Sequence, residues 1–149
     1  GVVPPFVIFH QSIKILIDKL NTFISNLKSQ NKNYITIEPS NQLQNGFNLH
    51  IVDENETLGN IVQSYLSLQY CDYLIEEKDR KIKFISYKKK HPLDNILIIT
   101  IQLYNSNIDG AINNIITPGI QNIVKILNKI SSEVENNKLF IDEVKTMVN

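Results

Sequence analysis

The sequence has a single cysteine, a single methionine, a single arginine and no tryptophan among 149 residues. With Cys71 alone there can be no internal disulfide and no cysteine-built zinc site, and a lone thiol fits a reducing compartment. Arg80 is the only arginine, and 15 basic residues are balanced by 15 acidic ones. The chain therefore lacks the cationic excess on which non-specific nucleic-acid binding depends. No apolar run approaches the ~20 residues of a membrane-spanning helix, and no basic-then-apolar leader opens the chain. No glycine-rich phosphate-binding loop occurs. The histidines His10, His50 and His91 have no metal-ligand spacing to carboxylates or to Cys71. Asp53, Glu54 and Glu56 come nearest to paired acids, but they stand at a helix start, where the helix dipole favours negative charge. These absences leave no catalytic constellation, no cofactor, no metal and no membrane partner to expect. Heavy use of Ile, Asn and Lys points to an AT-rich genome. The first residue, Gly rather than Met, points to a piece of a longer chain.

What the sequence does have is apolar periodicity, on a length suited to one domain with its own core. After Val2-Val3-Pro4-Pro5, where the prolines bar an earlier start, the spacing predicts a helix from about Phe6 to Ser29. Ile13, Leu16, Leu20, Phe23 and Leu27 recur at 3-4-3-4 intervals, a heptad-type seam, which Ile17 and Ile24 widen. A polar linker, Asn31–Asn33, follows. Tyr34–Glu38 and Phe47–Val52 alternate as strands and should pair antiparallel across a loop closed by Asn45-Gly46. Thr57 is the expected N-cap of a helix that carries Leu58, Ile61, Val62, Tyr65 and Leu66 on one face and runs to about Gln69. Tyr70–Lys78 either extends that helix or begins a hairpin. Lys81–Tyr87 reads as a strand, with Ile82 and Phe84 opposite a wet face of Lys81 and Lys83. Ile96–Leu103, apolar on both sides at its start, reads as a central strand covered above and below. Tyr104–Gly110 is a loop and Ala111–Ile116 a helical turn. Thr117-Pro118 reads as an N-cap with proline at the first helical position. From there Ile120, Ile123, Leu127, Ile130 and Val134 form a second 3-4-3-4 seam, in a helix to about Glu135 that Asn136-Asn137 should end. The fold class is α+β, a four-stranded, mostly antiparallel sheet with helices packed on it. Both seams are too apolar to face water along their length and suit a helix partner better than a flat sheet, and they are expected to face each other.

One group of residues is more specific. Thr57-Leu58-Gly59-Asn60 follows an acidic stretch. Tyr87 then ends a strand, and His91-Pro92 precedes the apolar run Ile96–Ile101. In this order and spacing they resemble the small alpha-like assembly subunit of DNA-directed RNA polymerases, the L type of archaea, over residues 34–136. Ser86 stands where that family usually has Gly, Lys90 where it often has Pro, and Gln63-Ser64 where an arginine is common. Pro4-Pro5 followed by a helix with Ile13-Lys14-Ile15-Leu16 and Lys19-Leu20 resembles the closing helix of the larger alpha-like subunit, the D type of archaea. Fusion of the two in one chain is a habit of large DNA viruses.

The resemblance implies the RNA polymerase alpha-type dimerisation fold. Residues 1–33 would be the end of the larger subunit, 34–137 the domain of the small one and 138–149 a tail. It implies a non-catalytic transcription subunit without cofactor. This subunit pairs alpha-like halves, in one chain or between two copies, into a platform for the two large catalytic subunits. It would work in the virus factory of the host cytoplasm or in the virion if viral, and in the nucleus if cellular. The interface residues would be those of the two seams. The rival is a single-stranded nucleic-acid module using Tyr87, Lys88–Lys90 and Tyr104, which salt-dependent oligonucleotide binding would reveal.

Overall fold

The computed structural model describes residues 5–89 and 95–148. Helix α1 spans Pro5–Ser29. Proline is tolerated at a first helical position, where the missing N–H has no intrahelical partner anyway. The helix closes at Gln30, which takes a left-handed φ of 54°, while the Asn31 N–H donates back to the Asn26 carbonyl at 3.1 Å. A left-handed residue with this bond satisfies carbonyls the last turn would otherwise leave free.

Strands β1 (Ile35–Pro39), β2 (Gly46–Val52), β3 (Ile82–Lys89) and β4 (Ile96–Leu103) form a four-stranded sheet in the order β1-β2-β4-β3, antiparallel at every pairing. Helix α2 (Glu56–Tyr70) links β2 to β3. After β4 the chain turns through α3 (Ile108–Ala111) and a π-helical turn (Ile112–Ile116) into α4 (Thr117–Val148). The fold is thus α+β.

Strand alternation makes the core one-sided. Phe47, Leu49 and Ile51 of β2 and Leu97, Ile99 and Ile101 of β4 are buried completely. They share one cluster with Leu58, Val62 and Leu66 of α2, Leu20 and Phe23 of α1, Ile116 of the π turn, and Ile120 and Ile123 of α4. Burying each such side chain contributes roughly 1.5–3 kcal/mol. The opposite face carries Asn48, His50, Thr100 and Gln102, half-buried, and the Thr100 hydroxyl donates to Asn48 Oδ1 at 2.8 Å. So β4 is central, as its apolar run suggests, but among the described residues helices cover only one of its faces. Ile98 is nevertheless buried on the other face, between its register partners His50 and Lys88.

Several local expectations need correction. The cap of α2 is Asn55, not Thr57: the Asn55 side chain accepts from the Leu58 N–H at 3.2 Å, and asparagine caps at least as well as threonine. In β3, Ile82 and Phe84 do not share a face. The register steps from Ile82↔Leu103 to Phe84↔Gln102, so Lys83 is an extra residue. Such a bulge reverses the alternation beyond it, exposing Phe84 and burying Ile85. Tyr70–Lys78 neither extends α2 nor forms a hairpin. The helix stops at Tyr70, a short 3-10 turn covers Glu77–Asp79, and the Lys81 N–H returns to the Tyr70 carbonyl at 2.9 Å.

Thr117 is not an N-cap either. The helical path begins earlier, where the Asn107 side chain accepts from the Gly110 N–H at 3.0 Å. Thr117 is itself helical and buried. The proline at 118 sits inside this path because the preceding turn is widened: the Thr117 N–H bonds to the Ile112 carbonyl, five residues back. A π turn is a known way to fit an interruption into a helix, here a ring with no N–H. At the other end α4 runs through Asn136-Asn137 to Val148. Asparagine costs a helix interior only tenths of a kcal/mol, unlike Gly or Pro, and neither of those follows Gly119.

Candidate pairing interface

Helices α1 and α4 lie along each other in opposite directions. Near the start of α1, His10 Nε2 is 3.1 Å from Glu135 Oε1, with Lys14 Nζ at 3.9 Å from the same oxygen. The end of α1 meets the other end of the path, since Leu27 lines a cavity with Ile108 and Asp109. The two seams lie between these limits. Ile13, Leu20, Phe23 and Leu27 of α1 and Ile120, Ile123 and Leu127 of α4 are buried. Leu16, Ile130 and Val134 are half-buried. The seam is therefore closed at its Leu20–Leu27 end and looser at the other. There an apolar groove of about 410 Å³ opens, lined by Ile13, Leu16, Leu127, Ile130 and the first turn of α2 at Thr57. Phe9 and Ile15, both more than half exposed, form its rim.

A polar node fastens α1 to the sheet domain. Glu54, in the β2–α2 connection, is only 5% exposed. Its Oε1 accepts from the Tyr34 hydroxyl at 3.0 Å and its Oε2 from Lys19 Nζ at 3.4 Å. Each carboxylate oxygen thus has one donor, each from a different segment, which is what a buried charge requires. No spacing rule could have found this trio, because Lys19, Tyr34 and Glu54 belong to three separate elements.

Burial first, then the charge and hydrogen bond of Glu54, push the Tyr34 hydroxyl's pKa well above the ordinary tyrosine value. An acid whose pKa is raised on folding keeps its proton longest in the native state. The unfolded chain then releases that proton first, near pH 10, and stability falls as pH rises beyond it. Denaturant melts from pH 9 upward should show this decline, and Tyr34→Phe should flatten it. An equal slope in both proteins would remove Tyr34 as its source.

The motif residues meet across the core. Leu58 and Gly59 are buried in α2, while Thr57 and Asn60 are exposed on it. Gly59 is close to side chains rather than to another backbone. A Cβ built there would lie 2.8 Å from Tyr87 Cδ2 and 2.9 Å from Leu97 Cδ1. Tyr87 of β3 therefore packs under α2, which explains why the two motifs go together. His91 and Pro92 lie outside the described residues. Tyr87 shares the inner face with its partner Ile99, whereas Lys88 pairs with Ile98 on the outer face. The ring and that lysine cannot form one stacking surface, and Lys90 lies outside the described residues. His50 Nε2 lies 3.5 Å from Glu38 Oε2 on the open sheet face. Among the described residues no group of three or more His, Cys, Asp or Glu could hold a metal ion. No described helix is long and apolar enough to cross a membrane.

No curated protein matches the chain. Residues 47–133 match the family model for the RNA polymerase Rpb3/Rpb11 dimerisation domain. The match begins in β2, takes in α2, β3 and β4, and ends within α4, leaving α1 and β1 outside. Covering more than half of the sequence, it shows that this chain belongs to the Rpb3/Rpb11 dimerisation-domain family, the alpha-like assembly subunits of RNA polymerase.

Proposed function

We propose that this chain holds parts of both alpha-like halves of an RNA polymerase. Residues 1–33 contribute the closing helix of the larger, D-type half, and residues 34–137 the small, L-type domain. Their pairing forms part of a platform on which the two large catalytic subunits assemble, with no chemistry of its own. A fused subunit of this kind, in a virus of AT-rich genome, would act in the virus factory of the host cytoplasm or in the virion.

The observation that carries this reading is the antiparallel packing of α1 on α4. Helix α1 lies outside the span matched by the dimerisation domain, yet its Ile13, Leu20, Phe23 and Leu27 are buried in one cluster with Ile120, Ile123 and Leu127 of α4. Two helices with heptad-type seams pack with axes about 8–10 Å apart, and a dimerisation helix is the natural partner for a segment of another alpha-like half. The test replaces Cys71 with serine and introduces cysteines at Leu20 and Leu127, or one turn away at Phe23 and Ile123. Mild oxidation should give a disulfide within one chain, seen as faster non-reduced migration at monomer mass. A disulfide formed only between chains would mean that the seam is completed by a second copy. No cross-link at either pair would separate α1 from α4 and end the proposal that they represent paired halves.

A further inference from the structure

The seam accounts for one end of the molecule; a second cavity of about 500 Å³ lies elsewhere and shares no residue with it. Its walls come from the end of α2 (Tyr70), the approach to β3 (Arg80 and Lys81), the end of β4 (Leu103 and Tyr104) and the π turn that precedes α4 (Asn114 and Ile115). Two features make it unlike an ordinary surface hollow. It gathers the protein's only arginine and an adjacent lysine, and among the described residues no Asp or Glu lines it. Neither cation has a carboxylate within 4 Å among the described residues. A chain with no net charge thus brings two unpaired cations to one cavity, Arg80 half-buried and Lys81 exposed at its edge. Arg80 is also held in place: one terminal nitrogen donates to the Tyr73 carbonyl at 2.6 Å. Its Nε is buried and has no partner among the described residues.

We propose that this cavity is a binding site for an acidic side chain, Asp or Glu, of a partner polypeptide, with an apolar residue beside it. The guanidinium is a planar fork that matches a carboxylate with two parallel bonds. The Nε is buried, so a ligand meets the terminal nitrogens of the fork, and Lys81 supplies the second charge. A phosphate is favoured less: the amides of Asn105, Asn107 and Asn114 also line the cavity, but anion cradles are built from free backbone N–H groups, and those of the adjoining loop are engaged. The Asn107 N–H donates to Asn105 Oδ1, that of Ile108 to the Ser106 carbonyl, and that of Gly110 to Asn107 Oδ1. The apolar flank would rest on Leu103 and Ile115, with the exposed ring of Tyr104 at the edge. The volume lies in the range of sites that enclose small ligands and suits two or three residues of an extended peptide.

The test uses the whole chain and a fluorescein-labelled hexapeptide of alternating glutamate and leucine, with the glutamine–leucine hexapeptide as control. Fluorescence polarisation should show saturable binding of the acidic peptide only. Lys81→Gln, at a side chain that makes no hydrogen bond or ion pair among the described residues, should weaken it about tenfold or more, the scale of one lost charge contact. Arg80→Lys should also weaken it, because the charge remains but the fork is gone. Inorganic phosphate added in excess at constant ionic strength should leave the peptide bound. Equal binding of the two peptides, no binding at millimolar peptide, or full binding by Lys81→Gln would each overturn the proposal. So would displacement by phosphate, which would make the cavity a phosphate site.

Discussion

Phe23→Ala is expected to lower the unfolding free energy by about 3–5 kcal/mol, the usual range for deleting a buried aromatic ring. Phe23 is completely buried in α1, in the cluster that also contains Ile120, Ile123 and Leu127 of α4. The surrounding side chains come from two helices and a sheet, so they cannot collapse freely into the space left behind, and the cavity cost adds to the lost burial. Native domains are stable by only about 5–15 kcal/mol, so this one change would remove a large share. Urea melts should show the midpoint falling with little change in slope. Ile15→Ala on the exposed side of the same helix should stay within about 0.5 kcal/mol. If Phe23→Ala costs no more than Ile15→Ala, then α1 is a loosely docked arm and not part of the cooperative core.

The periodic parts of this molecule were legible in its sequence, and the exceptions to periodicity were not. Helix α1, the two antiparallel strands before α2, and the apolar run of β4 all follow from the spacing of apolar residues. So does the burial of Leu20, Phe23, Ile120 and Ile123, because a narrow stripe has to be covered. The Lys83 bulge is invisible to pattern reading because one inserted residue leaves the composition unchanged and inverts every face beyond it. The Thr117-Pro118 pair has the signature of a helix start, and it misleads because a π turn lets a helix pass through a proline. The single cover on β4 could not be read from Ile98, whose burial comes from its strand neighbours rather than from a second layer. Of the α1–α4 contact, the apolar stripes were readable. The Lys19–Tyr34–Glu54 node and the cavity beside Arg80 were not, since both are made by residues that only the fold brings together.

Gly59→Val should destabilise the protein by about 1–3 kcal/mol, the cost of forcing extra atoms into a packed contact. Helix propensity alone predicts the opposite sign, because valine is a few tenths of a kcal/mol better than glycine inside a helix. The packing term wins because of what surrounds the position. A Cβ at Gly59 would lie 2.8 Å from Tyr87 Cδ2, 3.0 Å from Tyr87 Cγ and 2.9 Å from Leu97 Cδ1. The leucine methyl can rotate away, but the tyrosine ring must move as a whole. Valine, nearly locked at χ1 in a helix, cannot turn its own methyls aside. Gly59→Ala should therefore cost less than Gly59→Val. Removing the ring separates this cause from any other. Tyr87→Ala loses its own packing, but in the Gly59→Val, Tyr87→Ala double variant the valine should enter the vacated space. The combined loss should fall short of the sum by about 0.5–3 kcal/mol, the size of coupling between residues in contact. Such a result would mean that Thr57-Leu58-Gly59-Asn60 and Tyr87 form one device for seating α2 on the sheet. That seating also sets the first turn of α2 against the groove between α1 and α4. If Gly59→Val is as stable as the parent, or if the two losses simply add, the ring does not occupy that space, and the pairing of the two motifs has another cause.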